Sequence, residues 1–150
     1  MSAGRICVRD VDTATANETV QAVAERMLSR AVGALVVLND EREPIGIVTD
    51  RDLTIRVLAA GKDGAQTRVC EVMTAGPRTV REDTPIEQAL AIMRAGRFRR
   101  LPVIDKEGKL AGLLSLDDVL ELLVEEFRDI GDLLGGESPI CQLDARTRET

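Results

Sequence analysis

Apolar and polar positions recur in one order twice along the chain. Val20, Val23, Ala24 and Met27 fall on one helical face, and 66 residues later Ile86, Ala89, Leu90 and Met93 do the same. Each helix is followed by a short apolar run, Ala34 to Leu38 or Leu101 to Ile104. Runs this short and β-branched predict buried strands. A polar turn, Asn39 to Glu43 or Asp105 to Gly108, then separates that strand from another, Pro44 to Thr49 or Lys109 to Ser115, which predicts a hairpin. Helices are expected to close the units, from about Asp50 to Ala60 and from about Leu116 to Ile130. Short lead strands are expected near Ile6-Cys7-Val8 and Val72-Met73-Thr74. In the second copy Thr84-Pro85-Ile86-Glu87 reads as a helix start, with Thr84 as cap and Glu87 completing a capping box.

Sliding the chain against itself by 66 positions aligns residues 13–53 with 79–119 without a gap. The seven identities in those 41 positions are weak evidence alone, but the apolar pattern agrees throughout. The expected division is a first unit at 1–66, with a polar connector over 61–68, a second unit at 67–134, and a flexible tail over 135–150. A unit of about 60 residues is marginal alone, so the two should pack sheet to sheet. The expected fold class is α/β (α+β), two β-α-β-β-α units packed as a pair.

Composition narrows the function. Trp and Tyr are absent and only Phe98 and Phe127 are aromatic, so the core is aliphatic and the stacking platforms of single-strand binders are missing. A net charge of −6 gives no long-range attraction to nucleic acid or anionic membranes, and neither is expected as a partner. Histidine is absent, which removes His-based catalysis and His-ligated metals. Cys7, Cys70 and Cys141 are widely spaced and form neither a disulfide framework nor a zinc motif. The N-terminus has no signal-peptide pattern and no apolar run reaches the ~20 residues that span a bilayer, so a cytoplasmic location is expected. No nucleophile–base pair, GxSxG or Walker A loop can be assembled, so no catalysis and no required cofactor are expected.

The recurring chemistry is Thr49-x-x-Asp52 and Ser115-x-x-Asp118, each where a strand gives way to a helix. The plain explanation is a helix cap. The same geometry also suits a ligand. A helix N-terminus favours an anion, a hydroxyl can donate to phosphate, and a carboxylate one turn in can accept both ribose hydroxyls. Gly46 and Gly112 allow a backbone or flat ring to approach the strand.

The second unit reads Leu101-Pro102-Val103-Ile104-Asp105 and then Gly112-Leu-Leu-Ser115-Leu-Asp-Asp118; the first reads Leu35-Val-Val-Leu-Asn39 and Gly46-Ile-Val-Thr49-Asp-Arg-Asp52. Two such copies in register resemble a tandem pair of CBS domains, named after cystathionine β-synthase, over residues 5–130. The resemblance implies a non-catalytic regulatory module that binds AMP, ADP or ATP, or alternatively S-adenosylmethionine or NAD(H), in two clefts. It implies a homodimeric disc and an effector protein as partners. By position, Asp52 and Asp118 would hold ribose, Thr49 and Ser115 would meet phosphate, and backbone near Thr13-Ala14 and Thr79-Val80 would meet the adenine edge. Basic residues placed as Arg99 and Arg100 are would reach phosphates, whereas the first unit has Gly33 and Ala34 there. The cleft reached by these arginines is expected to bind more tightly, with Arg51 and Arg78 as lesser candidates. The alternatives are an oligomerisation scaffold with vestigial clefts and, less favoured for want of a base, a nucleotide hydrolase.

Overall fold

The computed structural model describes residues 1–135; the expected flexible tail lies, apart from Gly135, outside them. The chain divides into two bodies, Met1–Ser115 and the segment from Leu116, each taken alone below.

The first body begins with α1 (Ala3–Ile6), β1 (Thr13–Thr15), α2 (Val20–Arg30), β2 (Ala34–Leu38) and β3 (Pro44–Thr49). Then come α3 (Asp50–Leu53), which runs into a π-helical turn over Thr54–Leu58, α4 (Val69–Val72) and β4 (Thr74–Ala75). The second copy supplies β5 (Val80–Arg81), α5 (Ile86–Gly96), β6 (Arg100–Ile104) and β7 (Leu110–Ser115). One sheet has the order β1-β2-β3-β4 and the other β5-β6-β7. In each, the strand before the helix pairs parallel with the strand after it, which pairs antiparallel with the hairpin partner.

The 66-residue offset survives in three dimensions. Ala14↔Val37 recurs as Val80↔Val103, and Val37↔Gly46 as Val103↔Gly112. The register shift between Val37 and Leu38 recurs between Val103 and Ile104. Left-handed backbone recurs too, at Ala31 and Arg97, which end α2 and α5, and at Arg42 and Gly108 in the hairpin turns.

The lead segments depart from expectation. Ile6 and Val72 close short helices, and the leads are exchanged between copies. β4, which precedes the second copy, pairs with β3 of the first, Ile47 opposite Thr74. Val8, which precedes the first copy, bridges Leu113 of the second through reciprocal N–H···O bonds of 3.0 and 2.9 Å. Val69 and Val72 accordingly lie in the core with Val20, Val23, Met27, Leu35, Val37 and Val48, while Ala3 and Gly4 donate to the Thr84 and Glu82 carbonyls of the second copy. The glycines permit the exchange: a Cβ on Gly112 would lie 2.8 Å from the Val8 carbonyl oxygen, and one on Gly46 would overlap the Met73 sulfur. The two copies thus hold each other by their leads, an approximate twofold arrangement of mixed α and β structure.

The helix starts differ in detail. Thr19 caps α2 by accepting from Ala22 N at 3.2 Å. Thr84 instead accepts from Arg81 N at 3.0 Å, and Pro85 occupies the cap of α5. The second body is α6 (Leu116–Leu133), longer than expected, with Val119 buried and Leu120, Leu123 and Phe127 exposed. No helix among the described residues is long and apolar enough to cross a membrane.

Candidate functional site

The end of β3 and the first turn of α3 form a reciprocal cap. Thr49 Oγ1 accepts from Asp52 N at 3.2 Å, and Asp52 Oδ2 accepts from Thr49 N at 2.9 Å. The plain cap is therefore real, and its geometry leaves functional groups over. Thr49 Oγ1 acts as acceptor in the cap, so its O–H remains able to donate. Asp52 Oδ1 faces Arg56 Nε at 3.6 Å, and a carboxylate has about four lone-pair sites, so acceptor capacity remains. Arg56 also donates to the Val72 carbonyl at 2.7 Å, which ties the π turn to α4 and steadies the carboxylate. The Asp52 side chain is only 15% exposed.

This pair opens onto a cleft lined from β3 by Ile47 and Thr49, from α3 by Asp52, and from β4 by Thr74. Pro77 and Arg78, which follow β4, and Phe98, Arg99 and Arg100, which lead into β6, complete it. The cleft encloses about 190 Å³. That is below the ~300–1,000 Å³ of sites that swallow a drug-sized ligand, so a mononucleotide would lie partly in its mouth. Arg78, Arg99, Arg100 and the Asp52 carboxylate all line the cleft, and a planar guanidinium matches the geometry of an oxyanion even in a chain with a net charge of −6. Arginine also keeps its charge at any physiological pH.

The expected site residues distribute as follows. Thr49, Asp52, Arg99 and Arg100 come together in this cleft, so the arginines of the second copy meet the hydroxyl and carboxylate of the first. Arg78 joins them; Arg51 is exposed and does not line the cleft. Ser115 ends β7, opposite Arg100 in the hairpin register, and Asp118 lies in the first turn of α6. Thr13 lines a separate open hollow with Asp12, Glu18 and Arg26. There its carbonyl already accepts from Arg26 Nη1 at 2.7 Å. Arg26 pairs in turn with Glu18, which also accepts from Thr15 N at 2.7 Å. The Arg26 hydrogen bond holds the Glu18 carboxyl below its ordinary value. At the equivalent position of the second copy Ile92 replaces Arg26, and Thr79 lines a hollow with Ile92, Ala95, Gly96, Phe98 and Arg78. Val80 is buried against Val103 and presents no side chain to either cavity.

Sequence reasoning missed Ile47, Thr74, Pro77 and Phe98 as lining and Arg56 as a support. Phe98 alone carried a signal, as one of two aromatics in the chain and flanked by arginines. Thr74 and Pro77 were hidden because their place depends on the exchange of leads. Among the described residues no group of three or more Cys, Asp or Glu is placed to hold a metal ion.

Comparison with known proteins places these features. The CBS domain model matches residues 3–59 and again 69–125. The protein MK0525 of Methanopyrus kandleri is 36% identical over 122 residues, 81% of this chain and 62% of that protein. This chain therefore spans less than two thirds of that relative's length. A putative signal-transduction protein with CBS domains from Burkholderia ambifaria superposes with a TM-score of 0.75 at 33% identity, over 83% of this chain and 95% of that one. CBSX2 from Arabidopsis thaliana superposes with a TM-score of 0.74 at 27% identity, over 85% of this chain and 96% of its own. A structure of CBSX2 in complex with AMP matches with a TM-score of 0.71 at 25% identity, over 83% of this chain and 97% of that one.

Proposed function

This chain belongs to the CBS domain family, a family of regulatory modules, and we propose that it senses an adenosine-containing ligand of the AMP, ADP or ATP class. The carrying observation is the Thr49–Asp52 pair facing Arg78, Arg99 and Arg100 across one cleft. Each group has one task there. The Asp52 carboxylate accepts the ribose hydroxyls, the Thr49 hydroxyl donates to a phosphate oxygen, and the arginines bind phosphates at the open mouth. Thr74 and the Pro77–Arg78 backbone form a wall beside the base, and the backbone near Thr79 and Val80 is offered to the adenine edge. By analogy between the copies, Ser115 and Asp118 would take the roles of Thr49 and Asp52, while the Thr13 carbonyl accepts from Arg26 Nη1.

Ligand binding would be read out by association. A homodimeric disc and an effector protein are the partners that fit this reading. Occupancy shifts the packing of the copies only by the ligand's differential affinity for the two arrangements.

The test is a thermal-shift and calorimetric panel of AMP, ADP, ATP, NADH and S-adenosylmethionine. A ligand at 100 times its Kd stabilises the native state by ~2.7 kcal/mol, or roughly 5–11 °C for a chain of this size. Adenine nucleotides are expected to give such a shift. No shift with any of the five at millimolar concentration would remove the sensor reading.

A further inference from the structure

The aromatic ring of Phe98 stands on a glycine. An ideal Cβ built on Gly96 would lie within 2.6 Å of three ring carbons of Phe98, so the ring occupies the space a side chain at position 96 would fill. Phe98 remains 38% exposed and lines two cavities at once, the Thr49–Asp52 cleft and the adjoining hollow of Thr79, Ile92 and Ala95. Arg78 lines both as well. The ring is thus a fixed apolar wall between the polar cleft and an aliphatic hollow. The first copy has nothing like it, since the aligned residues are Arg30 and Val32.

We propose that Phe98, seated on Gly96, is the base-recognising residue of the cleft and makes it prefer a ligand with a planar heteroaromatic ring over a bare sugar phosphate. The inference rests on the reading of the cleft as a nucleoside-phosphate site. The polar groups of the cleft, one hydroxyl, one carboxylate and three guanidinium groups, satisfy ribose and phosphate and cannot distinguish adenosine monophosphate from ribose 5-phosphate. Discrimination needs an apolar plane against which a base can lie, and among the described residues Phe98 is the only aromatic one lining the cleft. A ring held on one side by Gly96 offers that plane with little freedom to lose on binding. Gly96 is then a positioning residue, since it is small so that the ring can sit there.

The experiment compares AMP with ribose 5-phosphate by isothermal titration calorimetry on the wild type, Phe98→Ala, Gly96→Ala and Asp52→Asn. Stacking of a base on an aromatic side chain corresponds to roughly 5- to 100-fold in affinity. The wild type is expected to prefer AMP by about that factor. Both Phe98→Ala and Gly96→Ala should collapse the preference by weakening AMP alone, with ribose 5-phosphate unchanged. Gly96→Ala keeps the phenyl ring but displaces it, and alanine is the better helix former, so its unliganded melting temperature should not fall. Asp52→Asn should weaken both ligands together. If Phe98→Ala and Gly96→Ala bind AMP within about twofold of wild type while Asp52→Asn does not, the base is recognised elsewhere and the inference is wrong, although the cleft reading stands. If the wild type binds neither ligand, the cleft reading falls and takes this inference with it.

Discussion

Replacing Asp52 separates what the residue does for the fold from what it does for a ligand. In the unliganded chain its Oδ2 accepts from Thr49 N at 2.9 Å and its Oδ1 faces Arg56 at 3.6 Å. Asparagine keeps an acceptor for Thr49 N and loses only the half-exposed ion pair, so Asp52→Asn should change stability by less than about 0.5 kcal/mol. Alanine removes the capping acceptor and should cost about 1 kcal/mol. Binding responds in the other proportion. A hydrogen bond to an ionised group contributes about 1.5–3 kcal/mol net of competition from water, so losing a carboxylate shared by two ribose hydroxyls should cost roughly 2–4 kcal/mol. Asp52→Ala should therefore weaken AMP by roughly 30- to 1,000-fold. Asp52→Asn retains one acceptor without the charge and should weaken it by about tenfold or more. Urea denaturation without ligand and calorimetry with AMP measure the two effects independently. If Asp52→Asn bound AMP as wild type does, the carboxylate would be a cap and nothing more.

Three further outcomes follow from the geometry. Gly112→Ala places a Cβ 2.8 Å from the Val8 carbonyl oxygen and strains the two hydrogen bonds of the Val8–Leu113 bridge. It should cost about 2–4 kcal/mol in urea titration, whereas Gly46→Ala, which meets mainly a flexible Met73, should cost about 1–2 kcal/mol; the reverse order would refute the account of the exchanged leads. Arg42 has a φ of 67° where the second copy has Gly108 at 84°, so Arg42→Gly should stabilise by about 0.5–1 kcal/mol in the same assay. Glu18 has a depressed native pKa through Arg26, so its contribution is complete above its ordinary value of 4.5 and is lost as pH falls through the lower native value. Glu18→Gln should be less stable than wild type at pH 7, and the gap should close on acidification in a pH series of urea titrations.

The helices, hairpins and buried strands were legible because each is written in local periodicity. Val20, Val23 and Met27 mark a helix face without reference to anything distant, and Leu35-Val36-Val37 mark a strand buried on both sides. Both copies share one register at the 66-residue offset, because side-chain alternation with period two allows one pairing that buries the apolar face. The hydroxyl–carboxylate pair was legible for the same reason, since its cap closes within four residues. The exchange of leads was not legible, and neither was the wall that Phe98 makes.

What the chain determined by itself is every interaction closed within a few residues: two helix–hairpin units, their turns, and the Thr49–Asp52 cap. What only the tertiary structure decided is which copy each lead joins, and hence that Thr74, Pro77 and Arg78 line the Thr49–Asp52 cleft. It also decided that Arg99 and Arg100 line the same cleft as the hydroxyl and carboxylate of the other copy. Pairing a lead strand with its own hairpin or with its neighbour's makes the same backbone hydrogen bonds, so local propensity cannot choose between them. The choice falls to long-range packing, to the close approaches at Gly46 and Gly112 and the burial of Val69 and Val72 in the first copy's core.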